Sequence, residues 1–183
     1  MSSLLIASLI AMLQALLPQQ VVGTWVRTVE THDPHSGTEE RQTTRRTFMA
    51  DGRLQEAVDY EQHIFTPDGE PIVLTFSCQV DGTWTLHNEN DILLGYRHRH
   101  VRVEHTGMRF PDHADEVQAE LRSIFMKKNA SEISNYVDTM RHILKRYYRR
   151  NHNSLIRRVS IEGNTMTATL GDEEVSLMRE IPQ

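Results

Sequence analysis

The sequence has almost no cysteine, few aromatic side chains and no charge excess of the basic kind. One cysteine, Cys78, in 183 residues excludes an internal disulfide, and no CxxC or zinc-ribbon spacing exists. A net charge of -5 with a pI near 6.0 argues against a general nucleic-acid binder, whose domain would be basic throughout. No apolar run reaches the roughly 20 residues that a transmembrane helix needs. No GxSxG, HExxH, GxGxxG or phosphate-cradling glycine loop occurs, so no motif points to an enzyme or a cofactor. Internal repeats and low-complexity tracts are also missing.

What is present begins with one biased segment. Leu4 to Leu17 reads LLIASLIAMLQALL, the length of a secretory signal's apolar region. Residues 1–20 are therefore read as a signal segment, which predicts a secreted or periplasmic protein in a bacterial source. The same stretch places Leu5, Leu9, Met12, Leu13 and Leu16 at helical spacing, which also fits a buried N-terminal helix. No cysteine follows the run, so no lipoprotein anchor is expected.

From Val21 the apolar period becomes two, the mark of strands whose successive side chains leave opposite faces. Strands are expected at Val21–Asp33, Thr38–Ala50, Leu54–Ile64, Ile72–Val80, Thr83–His87 and Ile92–His105, and again at Leu155–Glu162, Thr165–Leu170 and Val175–Ile181. Asp51-Gly52, Pro67-Asp68-Gly69, Asp81-Gly82, Gly163-Asn164 and Gly171-Asp172 read as turns between them, and the stretch His32-Asp33-Pro34-His35 as a loop. Between about residues 112 and 150 the period changes to that of a helix. Val117, Leu121, Ile124 and Phe125 form one apolar stripe. A second helix, capped by Ser131, carries Ile133, Val137, Met140, Leu144 and Tyr148. The expectation is an all-β domain over 21–183, an antiparallel up-and-down barrel of about eight or nine strands. Two amphipathic helices are inserted before the last strands.

Gly23-Thr24-Trp25 opens the first strand, and Val175, Leu177 and Arg179 lie on alternate positions of the last. This arrangement resembles the lipocalin-like domains of the calycin type, in particular those of secreted Bacteroidetes proteins. The resemblance covers nearly all of Val21–Ile181. It implies that Gly23, Trp25 and Arg179 close one end of the barrel, with the guanidinium on the indole face. It also implies a small apolar or amphipathic ligand inside the barrel. Val58, Tyr60, Leu74, Phe76, Cys78 and Trp84 are candidate lining residues, with Tyr96 and Arg102 as interior polar groups suited to a carboxylate. The same apolar faces equally suit a solid core, which would leave a non-catalytic interaction or structural module. A third reading gives His98 and His100, at i and i+2 of one strand face, a metal or haem, with His63 and His87 as further donors. The basic stretch Arg141–Arg158 reads as a solvated helix end, so no nucleic-acid partner is expected.

Overall fold

The structure, a computed structural model, describes residues 15–33, 38–66 and 69–181. The stretch before Ala15, residues 34 and 35 of the 32–35 loop and residues 67 and 68 of the 67–69 turn lie outside the described residues. A short helix α1 (Pro18–Val21) leads into strands β1 (Gly23–Asp33), β2 (Thr38–Phe48), β3 (Arg53–Phe65), β4 (Pro71–His87), β5 (Asp91–Tyr96) and β6 (Arg102–Arg109). One long helix, α2 (Gln118–Arg150), follows. Strands β7 (Asn153–Glu162), β8 (Thr165–Leu170) and β9 (Glu173–Arg179) end the chain. Every pairing is antiparallel. β1, β2, β3, β4, β5, β7, β8 and β9 close on themselves through the β1–β9 pairs Trp25↔Arg179 and Val26↔Met178. The wall is an eight-strand closed barrel with one additional strand, β6.

The number of strands equals the sequence expectation for a different reason. Asp81-Gly82 makes no turn: β4 runs unbroken through it for 17 residues. Val80, Gly82 and Trp84 keep the inward phase across the dipeptide. Gly82 serves a close approach instead, because a Cβ there would lie 2.6 Å from the Gly95 carbonyl oxygen. The strand expected from Ile92 to His105 is in turn two strands. Tyr96 pairs with Gly82 and Arg102 with Gln79, so six residues of this segment oppose three of β4. The surplus is looped out as a 3-10 turn at His98–His100.

That looped-out turn decides the architecture. β5 pairs with the Gly82–His87 half of β4 and, on its other edge, with β7, which closes the barrel. β6 pairs with the Val73–Gln79 half of β4 and with no further strand among the described residues. The first half of β4, with β6 and the adjoining parts of β3 and β2, therefore projects beyond the barrel as an open sheet. Its concave face carries Ile64, Ile72, Leu74, Phe76, Met108 and Phe110.

The two helices expected over 112–150 are one helix of 33 residues, about 50 Å long. No proline or glycine lies between Gln118 and Arg150. Ser131 is exposed within the helix and caps nothing. Asn129 bonds back to the Phe125 carbonyl at 2.9 Å, as a residue inside a continuous helix does. One stripe runs along it, formed by Leu121, Phe125, Ile133, Val137, Met140, Leu144 and Tyr148, whereas Val117 and Ile124 of the expected first stripe are exposed outside it. Gln118 fixes the start of α2, receiving from the Phe110 amide at 3.0 Å and donating to the Phe110 carbonyl at 2.7 Å.

Candidate functional site

The barrel interior is an apolar core with one closed end, at Trp25, and one buried charged cluster. At the apolar end Trp25 is fully buried. Its Nε1 donates to the Val21 carbonyl at 2.7 Å, which ties α1 down. The Arg179 guanidinium lies 4.4 Å from the indole centre and donates to the Gln20 carbonyl at 2.5 Å. Gly23 has a φ of +133°, so a side chain there would be strained, and it lies in contact with the Arg179 guanidinium, 3.6 Å from where a Cβ would stand. Leu16 packs into the same core, and its amide reaches the Glu89 carbonyl at 3.0 Å.

Above this lid the interior is filled by side chains. Phe48, Leu54, Trp84, Ile92, Leu94, Ile156, Met166 and Leu177 are all buried in one cluster with Val58, Cys78 and Val80. Phe48 meets Trp84 edge to face at 5.5 Å, and the Trp84 Nε1 donates to the Met49 carbonyl. None of five clefts formed by described residues is lined by Val58, Phe76, Cys78, Trp84 or Tyr96.

Two strands along the wall from Trp25, on the pair line Trp25↔Arg46↔Glu56, sits a buried charge. Glu56 is 4% exposed. It occupies the inward phase of β3 between Leu54 and Val58, directly opposite Arg46 of β2. Its carboxylate accepts hydrogen bonds from Arg46 Nε at 2.5 Å, from the Tyr96 hydroxyl at 2.8 Å and from the Tyr148 hydroxyl at 2.7 Å. Tyr148 comes from the last turns of α2, so this cluster fastens the helix to the barrel mouth. The Tyr96 and Tyr148 rings also touch, with centroids 4.8 Å apart.

Burial is the largest influence on the Glu56 carboxyl and pushes its pKa up. The Arg46 charge and the bonds from Tyr148, Tyr96 and Arg46 together outweigh it and hold the group below its ordinary value. Arg46 is likewise stabilised as a cation, its neighbouring carboxylate outweighing desolvation. Burial first, then the nearby Glu56 charge, raises the Tyr96 and Tyr148 hydroxyls well beyond any working pH, so both remain donors. The same two causes push the Cys78 thiol up to about 12, which makes it an inert packing group. An ionised pair with every partner in place has structural chemistry and no group poised to transfer a proton.

The residues singled out in the sequence fall into separate places. Val58 and Trp84 lie in the barrel core, and Tyr96 bonds to Glu56. Leu74 and Phe76 lie in the second cluster, under α2, and half-buried Tyr60 bridges the two clusters. Arg102 pairs with exposed Gln79 on the outer face of β6 and is itself exposed, so the structure does not bring it to the interior. His98 and His100 stand in the looped-out turn and share no strand face. His63 lies on β3 and His87 at the far end of β4. No group of three metal-ligating side chains occurs among the described residues. Sequence reasoning missed Glu56 and Arg46. The signal was available in LQEAVDY, where a glutamate falls on the phase of Leu54 and Val58, and in TTRRTF, where Arg46 falls on that of Phe48.

No protein-family model matches this chain, and no curated protein matches it. What the geometry establishes is an antiparallel eight-strand closed β-barrel, consistent with a calycin, lipocalin-like fold.

Proposed function

We propose that this protein is an exported, lipocalin-like, non-catalytic interaction module. Its barrel serves as a solid support and its outer surface makes the contacts. The observation that carries this reading is the filled interior, in which buried side chains run from Trp25 to the satisfied Glu56 cluster. A solid barrel offers binding energy only at its surface. Native mass spectrometry after incubation with a fatty acid, haem, zinc and copper tests it: the expected spectrum holds the unliganded chain alone. A stoichiometric adduct would sink the reading and favour the second one, a small apolar or amphipathic ligand inside the barrel. That second reading draws support from the light seating of α2, of whose 33 residues only Gln118, Ile133 and Tyr148 are buried. A ligand entering there would displace Tyr148 from Glu56.

Export is part of the proposal, with cleavage before Leu16 in preference to after Gln20. Leu16 and Val21 are core residues, and the Gln20 and Val21 carbonyls hold Arg179 and Trp25. The intact mass of the chain recovered from a bacterial periplasm should correspond to a start at or before Leu16. A start at Val21 or later would overturn this boundary.

A further inference from the structure

The looped-out turn has a second consequence. Residues 97–102 and 139–152 are far apart in sequence, yet the fold places them side by side. The Tyr96 amide donates to the His152 carbonyl at 2.8 Å, and Arg141 Nη2 reaches the Val103 carbonyl at 3.2 Å. Together the two segments hold eight of the chain's 20 Lys and Arg residues and none of its 25 Asp and Glu. The remainder of the chain thus carries twelve cations against 25 anions, and the molecule is strongly polarised. Arg97, Arg99, Arg102, Lys145, Arg146, Arg149 and Arg150 are exposed. None of these seven forms an ion pair among the described residues, whereas Arg141 is paired with Asp138.

Apolar side chains stand among these cations. Ile143 is 58% exposed and Tyr147 is 55% exposed, one helical turn apart on α2. Arg146 follows Ile143 by three positions and Arg150 follows Tyr147 by three, so each apolar side chain has a guanidinium beside it. The opposite face of α2 is already used against the barrel and the open sheet. A helix that shows arginines flanking an aliphatic and an aromatic side chain has the make-up of a segment lying in a membrane interface, where guanidinium groups meet lipid phosphates and apolar groups enter the acyl boundary. The aliphatic Ile143 favours this over a nucleic acid, because bases stack on aromatic faces and gain little from an isoleucine.

We propose that the face formed by the 97–102 turn and the C-terminal half of α2 docks on an anionic phospholipid surface, with the acidic remainder of the molecule turned away. This rests on the surface-acting reading of the barrel. The test is co-sedimentation of the full chain with vesicles of phosphatidylcholine alone and with vesicles containing about 30 mol % phosphatidylglycerol. The expected result is retention by the anionic vesicles only, with release as salt screens the charges. Replacing Arg99, Arg146, Arg149 and Arg150 together by Gln should weaken that partitioning roughly a thousandfold. The pair Ile143→Ser and Tyr147→Ser should weaken it about tenfold. Lys127→Gln with Lys128→Gln, on the other half of α2, should leave it unchanged. Circular dichroism and melting of each variant confirm that it folds. Equal binding to neutral vesicles, anionic binding that the arginine and Ile143/Tyr147 variants leave intact, or retention on single-stranded polyuridylate with no vesicle binding would each overturn the proposal. These outcomes are independent of the native mass spectrum, so failure of the lipid surface and failure of the filled-barrel reading are told apart.

Discussion

Around Trp25 the wall encloses its own core, whereas from Gln79 back to Pro71 the sheet has a concave face that only α2 covers. In the barrel each inward side chain meets others from the opposite wall, and closure leaves no strand edge to protect. In the projecting sheet Ile72, Leu74, Phe76, Met108 and Phe110 meet a single amphipathic helix. The free edge at β6 is met by Arg141, whose guanidinium bonds the Val103 carbonyl. One region is thus held from every side and the other by one rod, and the Glu56 cluster is where they are joined. Local opening is expected to begin in α2, and the barrel opens only on global unfolding.

The substitution that tests the barrel half most severely is Trp25→Ala. It leaves a cavity at the closed end and removes the platform for Arg179, and should cost about 3–5 kcal/mol in urea unfolding. A loss below about one would mean that the Trp25 end does not carry the core. Glu56→Ala should have a similar effect, about 3–5 kcal/mol, because Arg46 is left buried without its counter-ion. Tyr96 and Tyr148 also lose their acceptor.

The same carboxylate sets a pH dependence. Its folded pKa is held below the ordinary 4.5, so its contribution is fully present above that value and is lost as the pH falls through the folded pKa. Melting temperatures should therefore drop below about pH 4.5, and a Glu56→Gln protein should show a smaller drop. Equal acid sensitivity in both would assign the effect to other groups.

Glu132→Pro sharpens the comparison in the helix. In one continuous helix it breaks the 129–132 turns and should cost about 3 kcal/mol. Were Ser131 the cap of a second helix, proline in the first turn would be tolerated. Hydrogen exchange should show the loss confined to α2 and β6. The smallest effect expected is that of Arg27→Met, which breaks the exposed bridge to Glu173 at 2.6 Å and should change stability by less than about 1 kcal/mol.

Much of the wall was legible from residue alternation. Ile72, Leu74, Phe76, Cys78 and Val80 have the phase that the structure gives them, and all five are buried. Trp25 and Arg179 were paired through the resemblance to lipocalin-like domains, and the structure puts the guanidinium 4.4 Å from the indole centre. The errors came where a local signal has two meanings. Asp81-Gly82 matches a tight turn, but glycine also permits the 2.6 Å approach to Gly95 that a continuous strand needs there. Lys127 to Ser131 reads as a break between apolar stripes, yet only proline or glycine would have forced one. The pair His98 and His100 appeared to share a strand face, because nothing within YRHRHVR announces that its partner strand offers three residues to its six.

By itself, then, the sequence determined what alternation and composition control: the strand phases, the helical period over 118–150 and the polar character of the 97–102 stretch. Tertiary structure decided what depends on pairing between distant segments. It merged two expected strands into β4, split another into β5 and β6, and brought Arg46, Glu56, Tyr96 and Tyr148 to one point. It also set the 97–102 cations beside those of α2. The physical reason is that periodicity fixes which face a side chain takes, while register fixes which other side chains it meets, and register is a property of two chain segments together.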